Sequence, residues 1–484
     1  MPWLDACRNP TPSPEMEWTL SLAPNAVAAL VIDATPDGIV IRVSHHEVHV
    51  PHPSQGVRAA IRQLAVSGAD EATLRRTAMA HDGIDGLVGL EALLCELRTR
   101  QLLGYSVSVE GSPLLTALPL AGSAFDPAAA IPDEPCVLSR FAYLRRQNER
   151  LVLDTPISAV RIVLANRRAL AILAALSTPR RLDDLGSVPD VPADVVLQAA
   201  RLLWASGMLT SVDDADVSAE DRDAPLHHWE FHDLLFHARS RAGRHAEPYG
   251  ATYRFKGDLE PAPAVAPDQG SVEVDLFQPE IEKLDQSDPS FTRVLEARAS
   301  RREFTDQDPI TTRELGEFLY RSARIRRTVH ADGYEASNRV YPSGGAAYEL
   351  EVYIAVARCA GLGPGLLHYR ADRHQLTRVA EDGPDVRALV VEAAAAARAE
   401  NVQLLLILAA RFRRLSWKYE SMAYATVLKN VGVLLQTFYL VATAMGLAGC
   451  AVGGGNADTF TRAAGTRYVE ESSVGEFLLG RPRR

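Results

Sequence analysis

Cysteine is scarce in this sequence, with five residues (Cys7, Cys95, Cys136, Cys359 and Cys450) in a chain of 484. The count is odd, the spacings are wide and no Cys-x-x-Cys pair occurs, which argues against a thiolate zinc site and fits a reduced, cytoplasmic protein. An excess of basic charge is also missing. Lys and Arg number 51 against 61 Asp and Glu, a formal charge of -10, so there is no general attraction to nucleic acid or to an anionic membrane. The stretch Met1 to Pro14 is Pro-rich and lacks the basic start and apolar run of a signal peptide. The longest apolar run, Val431 to Leu447, is broken by Gly432 and Gln436. It falls short of the roughly 20 residues that span a bilayer and reads as a buried helix.

What is present is a large apolar fraction, 47%, enough for a sizeable core, and a length that suggests two to four domains. Three regions separate by pattern, with expected bounds 1-130, 136-215 and 226-484. The first opens with strand-like runs at Val27–Ile32, Ile39–Val43 and Glu47–Val50. Pro36-Asp37-Gly38 forms a turn between the first two, and helical patterns follow at Gly56–Ser67, Asp70–Ala80 and Leu87–Arg100. After the Pro-rich linker Pro127–Pro135 the theme repeats, with strands at Glu149–Leu153 and Ala159–Val163. Helices are expected at Arg168–Leu176, Leu182–Leu185 and Ala193–Ser206, then a wing strand after Gly207. Both modules read as winged helices. A DNA-reading helix needs basic side chains, and Pro192–Ser206 offers only Arg201, so a strand edge that accepts an extended peptide is the better use. Asp213–Pro225 is an acidic linker.

The last region holds the motifs that carry chemistry. In Arg298-Ala-Ser-Arg-Arg-Glu-Phe304, Arg298, Ser300 and Arg302 alternate after a helix expected over Ser290–Ala297. An extended segment points all three one way, and two guanidiniums with a hydroxyl suit a phosphate. Tyr341-Pro-Ser-Gly-Gly-Ala-Ala347 offers Pro342, Ser343, Gly344 and Gly345, whose backbone can approach a flat ring closely. Ser416-Trp-Lys-Tyr-Glu-Ser-Met422 is expected to open the long apolar helix. Adjacent residues diverge by about 100° on a helix, so at least one of Lys418 and Tyr419 is free to face a pocket and act as acid or base. Gly453 and Gly454, in Ala451-Val-Gly-Gly-Gly-Asn456, permit close approach to a ligand. Gly480 and Arg481, in Leu479-Gly-Arg-Pro482, could add a second phosphate contact. Gly361-Leu-Gly-Pro-Gly365 lies between two strand patterns and reads as a hairpin turn rather than a dinucleotide loop. His45, Glu47 and His49 share one strand face, and His227 to His237 are irregularly spaced. Both sets read as exposed side chains, and no metal is expected.

The order of these motifs resembles the nitroreductase-like flavoproteins, and within them the SagB-type azoline dehydrogenases. The lead-in Trp229-Glu-Phe-His-Asp-Leu-Leu-Phe-His237 with Gly243-Arg-His245 is similar as well, so the resemblance covers about Leu226 to Arg484. It implies an α+β fold: a C-terminal nitroreductase-like FMN domain preceded by two small winged-helix-like domains. It implies a homodimer with FMN at the interface, and oxidation of thiazolines or oxazolines in a ribosomal precursor peptide, beside a partner cyclodehydratase. By the resemblance, Arg298, Ser300, Arg302 and Arg481 would hold the FMN phosphate and ribityl chain. Pro342, Ser343, Gly344 and Gly345 would line the isoalloxazine, and Lys418 and Tyr419 would be the catalytic pair. Lys429-Asn430 departs from the residues common in that family. Two rivals stay open: an NAD(P)H-dependent reductase of small nitro compounds or flavins, and a non-catalytic peptide-presenting scaffold.

Overall fold

The computed structural model describes residues 18–22, 31–35, 37–43, 46–120, 125–245, 247–268, 270–331 and 333–483. The readings at 1–14 and 27–30 lie outside them. The chain divides into two compact units, Met1–Glu247 and Pro248–Arg484.

In the first unit, β1 (Thr19–Leu22), β2 (Val31–Thr35), β3 (Gly38–Val43) and β4 (His46–Pro51) precede α1 (Gln55–Val66) and α2 (Glu71–Thr99). Gly83, at φ 63° and ψ -140°, breaks α2 between the two helices the sequence suggests. Then come β5 (Leu103–Val109), β6 (Ser112–Pro119), β7 (Cys136–Leu138), β8 (Tyr143–Gln147), β9 (Arg150–Asp154) and β10 (Val160–Leu164). α3 (Arg167–Ala175), α4 (Ala193–Ala205), β11 (Leu209–Ser211), α5 (Ala219–Arg222), α6 (Ala224–His227) and α7 (Phe231–Arg239) complete the unit.

The two expected winged-helix modules are not separate in this unit. β6 pairs antiparallel with β10, from Val160↔Pro119 to Leu164↔Leu115. This joins the modules in one six-stranded sheet of order β1-β5-β6-β10-β9-β8, with one continuous core from Leu20 to Leu209. Both partner strands are apolar and complete each other's backbone hydrogen bonds, which an exposed edge would leave open. Residues 226–247, expected with the last region, also pack here. Arg140 donates to the carbonyls of Leu226 and Trp229, and buried Arg161 bonds both Asp154 and Glu247 at 2.7 Å. Cys136, Cys359 and Cys450 are free thiols.

The second unit is a sheet with helices on both faces. Its strands are β12 (Ser271–Asp275), β13 (Ile325–Ala331), β14 (Tyr334–Arg339), β15 (Leu350–Val356), β16 (Gly365–Arg370), β17 (Gln375–Glu381), β18 (Leu404–Arg411), β19 (Ala448–Val452) and β20 (Glu471–Gly480). Its helices are α8 (Ile281–Ser287), α9 (Phe291–Ala297), α10 (Thr312–Ser322), α11 (Pro384–Ala397), α12 (Phe412–Ser416), α13 (Ala423–Ala444) and α14 (Ala457–Ala464). Seven strands order as β12-β17-β16-β15-β18-β20-β19, and each neighbouring pair is antiparallel. The run 361–365 turns between β15 and β16, an antiparallel hairpin as the sequence suggests.

Alternation of side chains builds both layers. Val352, Ile354, Leu406 and Leu408 face one core with Phe318 of α10 and Leu434 and Phe438 of α13. Tyr353, Ala355, Leu405 and Ile407 face the other with Leu389 of α11 and Phe460 of α14. A sheet covered on both faces needs continuously apolar strands, and β18, Leu-Leu-Leu-Ile-Leu-Ala-Ala-Arg, is buried at every position. α13 is apolar and long enough by composition to cross a membrane, but Val427, Val431, Leu434, Phe438 and Ala442 are core residues.

Between the layers lies a buried polar knot. Burial opposes the charge of Glu351. The His368 hydrogen bond and the Arg339 and Arg411 guanidiniums more than offset this and hold its carboxyl at about 2. The folded value lies below the ordinary carboxylate value, so this group contributes stability above about pH 4.5, which is lost as pH falls toward 2. Equilibrium unfolding from pH 5 to pH 2 is therefore expected to lose stability less steeply in Glu351→Gln than in the wild type. Parallel curves would refute the charged state assigned to Glu351.

Candidate functional site

The Pro342–Gly345 segment links β14 to β15 and packs on the first half of α13. Gly345 is left-handed, at φ 61° and ψ 22°, which a residue with a Cβ adopts only with strain. A Cβ there would also collide with the Tyr419 hydroxyl and stand 2.8 Å from Lys418 Nζ. Lys418 Nζ donates to the Gly345 carbonyl at 3.2 Å. Gly344 has a different reason to be small, since a Cβ there would run into Thr426 of α13.

Lys418 and Tyr419 do not open the long helix. α12 ends at Ser416 and α13 starts at Ala423, so the pair lies in the turn between them. Ser421 takes φ 62° there. Freed from helical geometry, the two side chains converge on Gly345 instead of diverging. A strap that the sequence reading missed secures this turn. Gly250 and Glu420 exchange backbone bonds of 3.3 and 2.9 Å, and Tyr253 N–H donates to the Lys418 carbonyl at 3.2 Å. Trp417 Nε1 donates to the Leu259 carbonyl at 2.6 Å. The Lys418 ammonium has the rings of Tyr253 at 5.7 Å and Tyr334 at 5.5 Å, within cation–π range. Composition carried a signal for it. Only Lys256, Lys283, Lys418 and Lys429 are lysines among the 51 basic residues, and a compact ammonium suits proton chemistry where a guanidinium does not.

A second missed residue is Asn430, two turns into α13. Its Oδ1 accepts the Gly344 N–H at 3.1 Å. Its Nδ2 donates to Ser343 Oγ at 3.0 Å and to Glu349 at 2.9 and 3.2 Å. Ser343 Oγ also accepts the Tyr348 N–H at 3.0 Å. Glu349 is fully buried. Burial raises its carboxyl above the ordinary value, partly offset by the Asn430 and Ser343 hydrogen bonds.

The Arg298–Arg302 motif packs against a later part of the same helix, at Tyr439. Residues 298–302 follow α9 outside any helix, with Arg298 itself extended at φ -61° and ψ 121°. Arg298 sits 5.3 Å from the Tyr439 ring centroid, and Ser300 Oγ lies 2.8 Å from the Tyr439 hydroxyl. That hydroxyl already accepts the Ala451 N–H at 2.8 Å, so it can donate to Ser300 and leave the Ser300 proton for a ligand. Among the described residues Arg298 and Arg302 pair with no carboxylate, which leaves both charges for an anion. Gly453 and Gly454 follow β19, are exposed, and have open space where a Cβ would stand.

Arg481 and Gly480 have close partners within the protein. The Arg481 guanidinium is held by Glu314 at 3.0 and 3.1 Å and by Asp308. Glu314 is also the capping-box residue of α10, so Arg481 fastens the C-terminal strand to that helix. A Cβ on Gly480 would stand 2.7 Å from Gln403 Oε1 and 2.9 Å from Phe304, a packing constraint rather than a ligand approach. Charge-assisted bonds to phosphate contribute about 1.5–3 kcal/mol each. With FMN as the phosphate-bearing probe, Arg302→Ala is expected to weaken binding about ten-fold or more with little change in unfolding midpoint. Arg481→Ala should lower the midpoint and leave FMN affinity nearly intact. Equal losses of FMN affinity in both variants, read by flavin fluorescence titration, would reject this division.

Comparisons with known proteins bear on the whole chain. Residues 295–480 match the nitroreductase family, residues 136–246 match the cyanobactin oxidase ThcOx, and residues 16–125 match the ThcOx helix-turn-helix domain. A putative nitroreductase of Methanocaldococcus jannaschii is 30% identical over 182 residues, 37% of this chain and 84% of that protein. Among solved structures, a putative nitroreductase from Ralstonia eutropha is 21% identical with TM-score 0.35, over 49% of this chain and 100% of that one. The Escherichia coli microcin synthetase McbBCD complex, with truncated pro-MccB17 bound, is 20% identical with TM-score 0.35, over 52% and 87%. On the identity and coverage of the curated relative, the chain belongs to the nitroreductase family of oxidoreductases, with ThcOx-type domains ahead of its nitroreductase domain.

Proposed function

We propose that this protein oxidises thiazoline or oxazoline rings to thiazoles or oxazoles in a ribosomally made peptide, using FMN. The observation that carries the reading is the meeting of Lys418 and Tyr419 over Gly345, in a chain whose leading domains match a cyanobactin oxidase. Unpaired Arg298 and Arg302, with Ser300, suit the FMN phosphate, and the Pro342–Gly345 loop suits the edge of a flat ring. Gly453 and Gly454 leave space for the cofactor.

The conversion removes a proton from Cα and a hydride, with its electron pair, from Cβ, and the new double bond completes the aromatic ring. Bound FMN supplies the acceptor for that two-electron step. The remaining work falls to the chain. Lys418, its ammonium committed to the Gly345 carbonyl, fixes the turn against the loop. On this reading the pair supplies the group that takes the Cα proton, and the Tyr419 hydroxyl, without a hydrogen-bond partner among the described residues, is the freer of the two. The aromatic side chains of Tyr253 and Tyr334 limit water around Lys418.

The substrate would be a precursor peptide already cyclised by a partner cyclodehydratase. In the first unit β4 is an edge strand, beside a cavity of about 390 Å³ lined by Val48, Val50, Val57 and Leu93. Strand addition at such an edge gives main-chain affinity with pockets for alternate side chains. A homodimer belongs to the same reading. Tyr424 and Leu428 on α13, and Phe291 and Leu295 on α9, are exposed apolar pairs four residues apart, the pattern of an interface stripe. Light scattering at micromolar concentration should give twice the mass of 52.6 kDa, and a monomer mass would reject the dimer. Removing a positioned proton-transfer group typically costs about 10²–10⁴ in rate. Lys418→Ala and Tyr419→Phe are each expected to keep the flavin absorbance while losing most ring oxidation, followed by mass spectrometry of an azoline peptide. Wild-type rates in both variants would place the proton transfer elsewhere.

A further inference from the structure

We propose that Asn430 is the positioning residue that sets which backbone N–H of the Ser343–Gly345 loop faces the flavin, with buried Glu349 fixing its amide. The inference rests on the functional reading above and assigns a role to a residue outside its motifs.

The amide orientation is dictated by its partners. Oδ1 faces a donor, the Gly344 N–H at 3.1 Å. Nδ2 faces acceptors, Glu349 Oε1 at 2.9 Å, Oε2 at 3.2 Å and Ser343 Oγ at 3.0 Å. Turning the amide over would set oxygen against carboxylate and N–H against N–H, so a single orientation survives. Ser343 closes the network by donating to Glu349 Oε2 at 3.3 Å and accepting the Tyr348 N–H.

This network uses up part of the loop. The Gly344 N–H is committed to Asn430, and the Ala346 and Ala347 N–H groups bond the Ser343 and Gly344 carbonyls. The Gly345 N–H has no acceptor among the described residues, and Gly345 is exposed. Its carbonyl is held from the other side by Lys418. Gly345 is therefore gripped at its carbonyl oxygen, in the peptide unit that follows it, while its N–H, in the preceding unit whose oxygen accepts the Ala347 N–H, is left for the polar edge of a ring. Asn430 on α13 and Glu349 at the start of β15 tie that exposed group to two core elements, so the donor is fixed before any ligand arrives.

The test uses an exchange of donor and acceptor in the full-length protein. In Asn430→Asp the new carboxyl group still accepts the Gly344 N–H but lacks the amide hydrogens that reached Glu349 and Ser343 Oγ, and it sets two carboxyl groups face to face in a buried site. In the double variant Asn430→Asp/Glu349→Gln the amide introduced opposite it supplies a hydrogen between the two. FMN affinity by fluorescence titration, the position of the long-wavelength flavin band, and apo-protein thermal unfolding are measured for both. Asn430→Asp should bind FMN at least about ten-fold more weakly with a displaced band, and the double variant should recover both. Wild-type affinity and band in Asn430→Asp would overturn the proposal. If Asn430→Asp fails to fold, the double variant decides alone, and a folded double variant with a displaced band would overturn it. A wild type that binds no FMN defeats the functional reading itself. A flavin-bound wild type with an indifferent Asn430→Asp defeats only this inference.

Discussion

The candidate site depends on one close approach, the backbone of Gly345 against the tips of Lys418 and Tyr419. A Cβ there would add backbone strain at the left-handed φ and push the Tyr419 hydroxyl and the Lys418 ammonium away from the loop. The rest of the second unit can be seen as what holds the two sides of this contact still. Asn430 and Thr426 of α13 hold the loop from within, and the 248–259 strap holds the turn from outside. Such close positioning is what the proposed proton transfer by Lys418 and Tyr419 would require.

α13 is the common post. Its core residues Leu434 and Phe438 seat it on the sheet, and truncating a buried Phe to Ala typically costs about 3–5 kcal/mol. Asn430 serves the ring-side loop and Tyr439 serves Ser300. Nine residues of helix separate them, about 13.5 Å along the axis at 1.5 Å per residue. The Ser343–Gly345 loop and the Ser300 segment are thus tied to points spaced along one rigid element, so a disturbance of that helix would move both.

Much of this was legible in the sequence. The helix expected over Ser290–Ala297, the 361–365 hairpin and the α3–α4 helices of the winged pattern follow from local rules, and the structure has them. What was not legible is long-range. The β6–β10 pairing that fuses the first two modules joins strands about 45 residues apart that each look complete alone. The Asn430–Ser343 bond spans 87 residues, and Asn430 stood out in the sequence only as a departure from a family pattern. Arg481 fits a phosphate motif by spacing, but Glu314, 167 residues earlier, takes its charge. The Lys-Tyr pair was found by type but misplaced on a helix, because the left-handed Ser421 that ends the turn carries no glycine to announce it.

Anaerobic titration of the oxidised, FMN-loaded protein with a thiazoline-containing peptide, without NAD(P)H, tests the central claim most directly. The account predicts that the flavin band bleaches in proportion to added substrate, and that each bleached flavin matches one ring that has lost two hydrogens by mass spectrometry. A flavin that NAD(P)H bleaches and the peptide leaves oxidised, with the peptide mass unchanged, would contradict it.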